Sequence, residues 1–320
     1  MTIRIAGLFL LACGLMAEPK PVSKAQFDQW MKELSNWGRW GKADELGTLN
    51  MITPASRKAA ARLVREGYAV SLSHDVEKEK APDAPYPFGH EMRVSSEKPG
   101  ADIFTDSFSV THHGIIHTHL DALCHFSYQG LLYNGFSVKE VTGKGALHLT
   151  IEAARNGIFA RGVLIDIPEL MGVPYLEPDQ AIYPEDLDAW EKKSGVRVKA
   201  GDVVFIRTGR WARRKAKGPW SMDARAGLHV SSVAWLRKRD VAILGSDASS
   251  DVRPSGVEGV PQPVHTLVIV AMGAPIFDNC DLEEISKEAR KRKRWDFLLT
   301  TSPLTVPGAT GSPLNPVAIF

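Results

Sequence analysis

The segment Thr111 to Phe126, THHGIIHTHLDALCHF, gathers five of the chain's ten histidines, His112, His113, His117, His119 and His125, around Asp121. Imidazole and carboxylate are the ordinary protein ligands of a mid-sized divalent cation such as zinc or manganese. In extended backbone, residues two apart point the same way, so His117, His119 and Asp121 can converge on one point. A regular helix would fan them around its axis by about 100° per residue. Non-helical backbone is therefore expected at least as far as Asp121. The apolar neighbours Leu120, Ala122, Leu123 and Phe126 carry the segment into a core. Polar side chains buried there need partners. A bound metal supplies them; a histidine-rich surface loop does not.

A chain of 320 residues with 44% apolar content has enough material for a large core. Its net charge of +2 gives no argument for a nucleic-acid partner. The basic runs Arg210 to Lys217 and Lys287 to Arg294 read as polar helix faces. Near the N-terminus, Arg4 precedes an apolar run from Ile5 to Met16, then small Ala17 and the polar Glu18-Pro19-Lys20. This is the layout of a secretory signal peptide, too short to span a bilayer. Residues 1–17 are read as that leader, with Leu10-Leu11-Ala12-Cys13 resembling a lipoprotein cleavage box. The expectation is export to the periplasm or lipid attachment, or a cytoplasmic protein if the leader is not processed, with no membrane span and 18–320 as a single domain. Cys124 and Cys280 then stay as buried thiols.

Helices are expected over Ala25 to Leu34, from Thr53-Pro54 through Arg65, over Tyr183 to Lys193, Ser231 to Lys238, His265 to Met272 and Asp281 to Arg292. Strands are expected over Tyr68 to Leu72, Phe104 to Val110, Arg161 to Ile167, Asp202 to Arg207, Val241 to Leu244 and Val317 to Phe320. The proline-bearing stretch Lys78 to Gly100 reads as a long loop, a candidate lid. Irregular alternation of the two element types points to an α/β or α+β fold with a mixed sheet. Trp30, Trp37 and Trp40 lie close in sequence; Trp37 and Trp40 are the candidates to hold a flat substrate.

A catalytic metal site needs about three protein ligands, an open position and a proton-transfer group. His117, His119 and Asp121 are the candidate ligands. His125, four residues past Asp121, is placed to ligate or to move protons. Among distant histidines His265 stands out, because it heads an apolar helix after Pro263 and is followed by Asp278. Rival chemistries lack their motifs: the chain has no G-x-S-x-G, no G-x-x-x-x-G-K-[ST] and no strand-linked G-x-G-x-x-G.

Thr118-His119-Leu120-Asp121-Ala122-Leu123-Cys124-His125-Phe126 resembles the T-H-x-D-A-x-x-H-F signature of the cyclase family of metal-dependent hydrolases, which includes kynurenine formamidases and isatin hydrolases. Asp44 to Asn50 followed by Thr53-Pro54, Asp202 to Trp211, Leu244 to Asp247 and Ile276 to Asn279 are similar to further elements of that family. The resemblance implies a swivelling β/β/α fold, His119 and Asp121 as metal ligands, and His125, His265 and Asp278 completing the site. It implies hydrolysis of a small N-formyl or cyclic amide, arylformamidase-like, in a homo-oligomer. Isatin-hydrolase-like lactam or lactone opening is the alternative within the class, and a non-catalytic exported metal-binding protein the alternative outside it. The family's first histidine, four before His119, is Ile115 here; His117 takes the glycine's place, and His113 and His117 repeat the four-residue spacing. Asp278 stands for the family's usual Glu.

Overall fold

Four short apolar segments, Ile158–Asp166, Val203–Arg207, Ile243–Ser246 and Ile276–Asp278, are almost wholly buried and run parallel as neighbours. Continuous apolar strands of this kind are those covered on both faces. In this computed structural model, which describes residues 19–98 and 100–320, they form the centre of a nine-stranded mixed sheet. On one side the sheet continues antiparallel through Asp296–Thr301, Val317–Ile319 and Ala69–Ser71. On the other it continues through His119–Asp121 and Gly311–Pro313, also antiparallel. The mixed α/β architecture expected from the sequence is therefore what the chain forms. The leader read over 1–17, with Cys13, lies outside the described residues.

Helices pack on this sheet with the caps that the sequence signals. Thr53 accepts a hydrogen bond from Ser56 N at the start of Pro54–Ala61, and Ser23 accepts from Gln26 N before Lys24–Glu33. The first of these stops short of Arg65, because the following residues dock elsewhere. Glu66 and Gly67 donate their backbone N–H to Phe320 O, and Arg294 reaches Leu63 O. The helix expected at His265 begins earlier, as Pro263–His265, and continues as a π-helix over Thr266–Met272 that ends on left-handed Gly273. Every residue of that π-helix is buried.

Lys78 to Gly100 is not one loop. Its second half forms the strand Gly89–Lys98, paired antiparallel with Ala101–Ser109. Register explains why the strand is hard to read: Met92 and Val94 share a face with Phe104 and Phe108, while Glu91 and Arg93 alternate with them. Flanking prolines and charges mask that two-residue period. Cys124 and Cys280 are buried free thiols, as expected. Among the described residues no helix is long and apolar enough to cross a membrane.

Leu120 is wholly buried at the centre of the three-residue strand that carries His119 and Asp121. Leu120→Ala should cost about 2–5 kcal/mol, read as a lower denaturant midpoint with an unchanged m-value.

Candidate metal centre

The register of two short strand pairs builds the floor of the site. Asp278 lies directly opposite His119, and Gly311 directly opposite Asp121. Opposite residues of an antiparallel pair share a face, as do residues two apart on one strand. His119, Asp121 and Asp278 therefore emerge together. All three are buried. His265 reaches them from the helix start above, its Nε2 3.1 Å from Asp278 Oδ2 and 3.7 Å from Asp121 Oδ2. His113 enters from the loop before the strand, its Nδ1 3.0 Å from Asp121 Oδ1. Gly311 makes that approach possible, since a Cβ there would lie 2.8 Å from His113 Cε1 and 2.6 Å from Leu120 O.

Each of the three imidazoles has one nitrogen tied down and the other aimed inward. His119 Nδ1 bonds to His117 O at 2.8 Å, leaving Nε2 3.3 Å from Asp121 Oδ1. His265 Nδ1 bonds to Asp251 Oδ2 at 2.5 Å. His113 Nε2 bonds to Thr310 Oγ1 at 2.8 Å. Fixing the outer nitrogen in this way sets the tautomer and orientation of a metal-ligating histidine. Asp251 does more than orient His265, because it also accepts from Val264 N and so anchors the start of the helix.

The donor atoms form two overlapping groups, His113, His119 and Asp121, and Asp121, His265 and Asp278, each within 4.8 Å. Among the described residues, both oxygens of Asp121, Oδ1 of Asp278 and Nδ1 of His113 are buried with no well-directed hydrogen bond, even where Nδ1 and Asp121 Oδ1 approach each other. Such orphaned atoms are costly unless something completes their coordination. A divalent cation fits that demand in charge and in donor chemistry. The electrostatics agree. Burial pushes the Asp121 carboxyl up, but His125, His113 and His119 outweigh it and hold it well below its usual value. Burial pushes His265 down, yet Asp278 and Asp251 hold it well above the ordinary imidazole range.

His125 stands at the edge of the group, its ring stacked on His113 at 3.7 Å and its Nε2 3.9 Å from Asp121 Oδ1. Burial above all lowers its pKa to about 4. It is a neutral imidazole near neutral pH. Together with His113, His119, His265, Asp278 and Phe126 it lines a cavity of about 500 Å³.

The sequence-derived set thus divides. The structure brings His119, Asp121, His125, His265 and Asp278 together, and His113, left undecided by the sequence, joins them. His117 is not among them. Two-residue alternation holds only inside the strand, which begins at His119, so His117 turns away and faces Tyr86 O at 3.3 Å. Its contribution is its carbonyl, which receives His119 Nδ1. Trp37 and Trp40 are also elsewhere. Trp37 donates to Val270 O and lines a separate hollow beside Tyr128, and Arg39 stacks on Trp40. Asp251, Arg225 and Arg253 were not anticipated; no spacing in the sequence marks them.

The family model described as Putative cyclase matches residues 52–251. Among solved structures, the crystal structure of a novel cyclase superposes with a TM-score of 0.83 at 29% identity, covering 91% of this chain and 99% of that one. Isatin hydrolase A from Ralstonia solanacearum superposes with a TM-score of 0.55 at 22% identity, covering 83% and 95%. Isatin hydrolase A from Labrenzia aggregata, bound to benzyl benzoate, does so with 0.55 at 21%, covering 81% and 94%. At these identities the two isatin hydrolases show a shared fold. Among curated proteins no match is found.

His113→Ala should lower zinc or manganese affinity by at least about tenfold, as loss of an inward-facing donor. His117→Ala should keep the metal content of the wild type. Metal analysis of dialysed protein separates the two, and the reverse result would restore His117 as the ligand.

Proposed function

Because the chain belongs to the cyclase family, we propose that it is a metal-dependent hydrolase of a small amide, N-formyl or cyclic, with arylformamidase-like chemistry. One observation carries this reading: imidazoles and carboxylates with orphaned inward atoms converge on the floor of a cavity open to a small molecule. His113, His119, Asp121, His265 and Asp278 would hold the cation. When bound, zinc or manganese supplies Lewis acidity that polarises an amide carbonyl and lets water attack near neutral pH.

The chain's own residues do the rest. Neutral His125 is the group able to accept the proton that the attacking water loses. It can return that proton to the departing nitrogen as the carbon–nitrogen bond breaks. Such positioned proton transfer contributes about 10²–10⁴-fold. Stacking on His113 fixes the ring that performs it. Asp251 holds His265 in place and leaves its Nε2 facing the floor. Phe126, Ile115 and Met222 give the cavity its apolar surface. A second reading, opening of a lactam or lactone ring, uses the same attack and draws support from the fold shared with isatin hydrolases.

Purified protein should hydrolyse N-formylkynurenine or isatin, lose that activity to a chelator and regain it with zinc or manganese. Turnover that survives chelation overturns the metal requirement; bound metal with no turnover of either compound favours a non-catalytic metal-binding protein. His125→Ala should reduce kcat by about 10²-fold or more while metal content stays at the wild-type level. Unchanged kcat would remove His125 from the proton-transfer role.

A further inference from the structure

The cavity has a second polar wall, built from Ser221 to Arg225 and Ser249 to Arg253. Arg225 N donates to Arg253 O at 3.1 Å and Arg253 N to Arg225 O at 2.9 Å, so the two residues face each other across a small antiparallel bridge. Side chains directly opposite in such a bridge lie on the same side. Both arginines line the cavity that contains His113, His119, His265 and Asp278.

Among the described residues, neither cation is in a salt bridge. Arg225 is buried, and its guanidinium bonds to Met222 O, Asp251 O and Ser249 Oγ, none of them charged. A guanidinium carries five N–H donors, so part of its capacity is unspent. Arg253 is half-buried, and its Nε is buried with no hydrogen-bond partner among the described residues. The acids nearby are engaged: Asp251 and Asp278 with His265, and Asp223 with the Ser221 hydroxyl. Burial first, then the charge of Arg253, draws the Arg225 pKa down to about 10. A buried guanidinium at Arg225 and a half-buried one at Arg253, beside a reaction site, are matched by a planar anion, which accepts paired N–H donors from such forks.

We propose that Arg225 and Arg253 form an anion subsite that binds a carboxylate on the substrate, separate from the bond to be broken. The substrate class is thereby narrowed to amides that carry a carboxylate substituent. Arg253 makes the direct contact. Arg225, held by three bonds, positions the subsite and supplies the second charge. The word substrate here rests on the hydrolase reading above; the anion subsite itself does not.

The test separates the two. Chelator-treated protein, whose floor cannot hold a carboxylate through a metal, is titrated with benzoate and with its neutral analogue benzamide, using ligand-observed NMR. Wild type should bind benzoate more tightly than benzamide. Arg253→Gln should weaken benzoate by about tenfold or more and leave benzamide unchanged, while Arg253→Lys recovers part of the loss. A thermal melt of each variant confirms that it is folded. Equal binding of the two probes by wild type, or benzoate binding that Arg253→Gln does not alter, overturns the subsite, whatever the activity assays give. Benzoate discrimination without any amide turnover keeps the subsite and sinks only the hydrolase reading. With an active metal-loaded enzyme, Arg253→Gln should raise KM for a carboxylated amide and spare kcat. Equal KM changes for carboxylated and neutral amides would overturn the assignment of the substrate class.

Discussion

A carboxylate sits almost entirely out of water at Asp121, with neither oxygen in a well-directed hydrogen bond among the described residues. Stripping a charge of solvent is among the most expensive steps in folding, and it is tolerated only where opposite charge is close. Around this one group the chain assembles His113, His119, His125 and His265. Their arrangement would be gratuitous in a purely apolar core. It is economical where a cation is to be shared, because Asp121 belongs to both donor groups.

Holding a loop of histidines beside that carboxylate requires its own support, and the support is polar. Asn279, in a left-handed conformation just past Asp278, donates to Gly114 O and His117 O and takes a hydrogen bond from Thr118 Oγ1 on its carbonyl. Its side-chain oxygen receives Arg210 Nη1 at 2.6 Å. Arg210 starts a helix, and its backbone N–H converges with those of Thr208 and Gly209 on Asp247. Burial, in spite of those bonds, raises the Asp247 pKa to about 6. The loops after three parallel strands are thus tied together by side-chain amide, guanidinium and carboxylate, and the histidine loop hangs from the same knot. These are the carboxyl ends of the strands, where open α/β sheets place their ligands.

Much of this was legible in the residues, and the parts that were not share a cause. His119 and Asp121 announced themselves because two-residue periodicity survives wherever there is a strand, even one of three residues. His265 was marked by an apolar helix behind it, and Asp278 by a resemblance in the residues around it. Periodicity failed one step before the strand: there the backbone turns, and His113 arrives in the position that spacing had given to His117. Trp37 and Trp40 lie apart from the histidines, because an aromatic cluster in sequence does not say which hollow it borders, and Trp37 borders the one beside Tyr128. The strand Gly89–Lys98 hid among prolines and charges that usually mean a loop. Arg225 and Arg253 could not be singled out from the other arginines, since their meaning comes from a backbone bridge between segments far apart in the chain.

The pairing of Asp278 with His119 and of Gly311 with Asp121 has a further consequence. A strand of three residues has no slack: shifting either pair by a single position would turn Leu120 or Phe277 toward the cavity and the ligands into the core. The reaction floor is therefore locked to the sheet and closed to gradual change. The segments that carry Met222, Arg225, Ser249 and Gln262 are held by isolated bridges and loop hydrogen bonds rather than by strands of the central sheet. Diversity among chains of this architecture has room to accumulate there, so that one inherited chemistry can be offered to many differently shaped molecules.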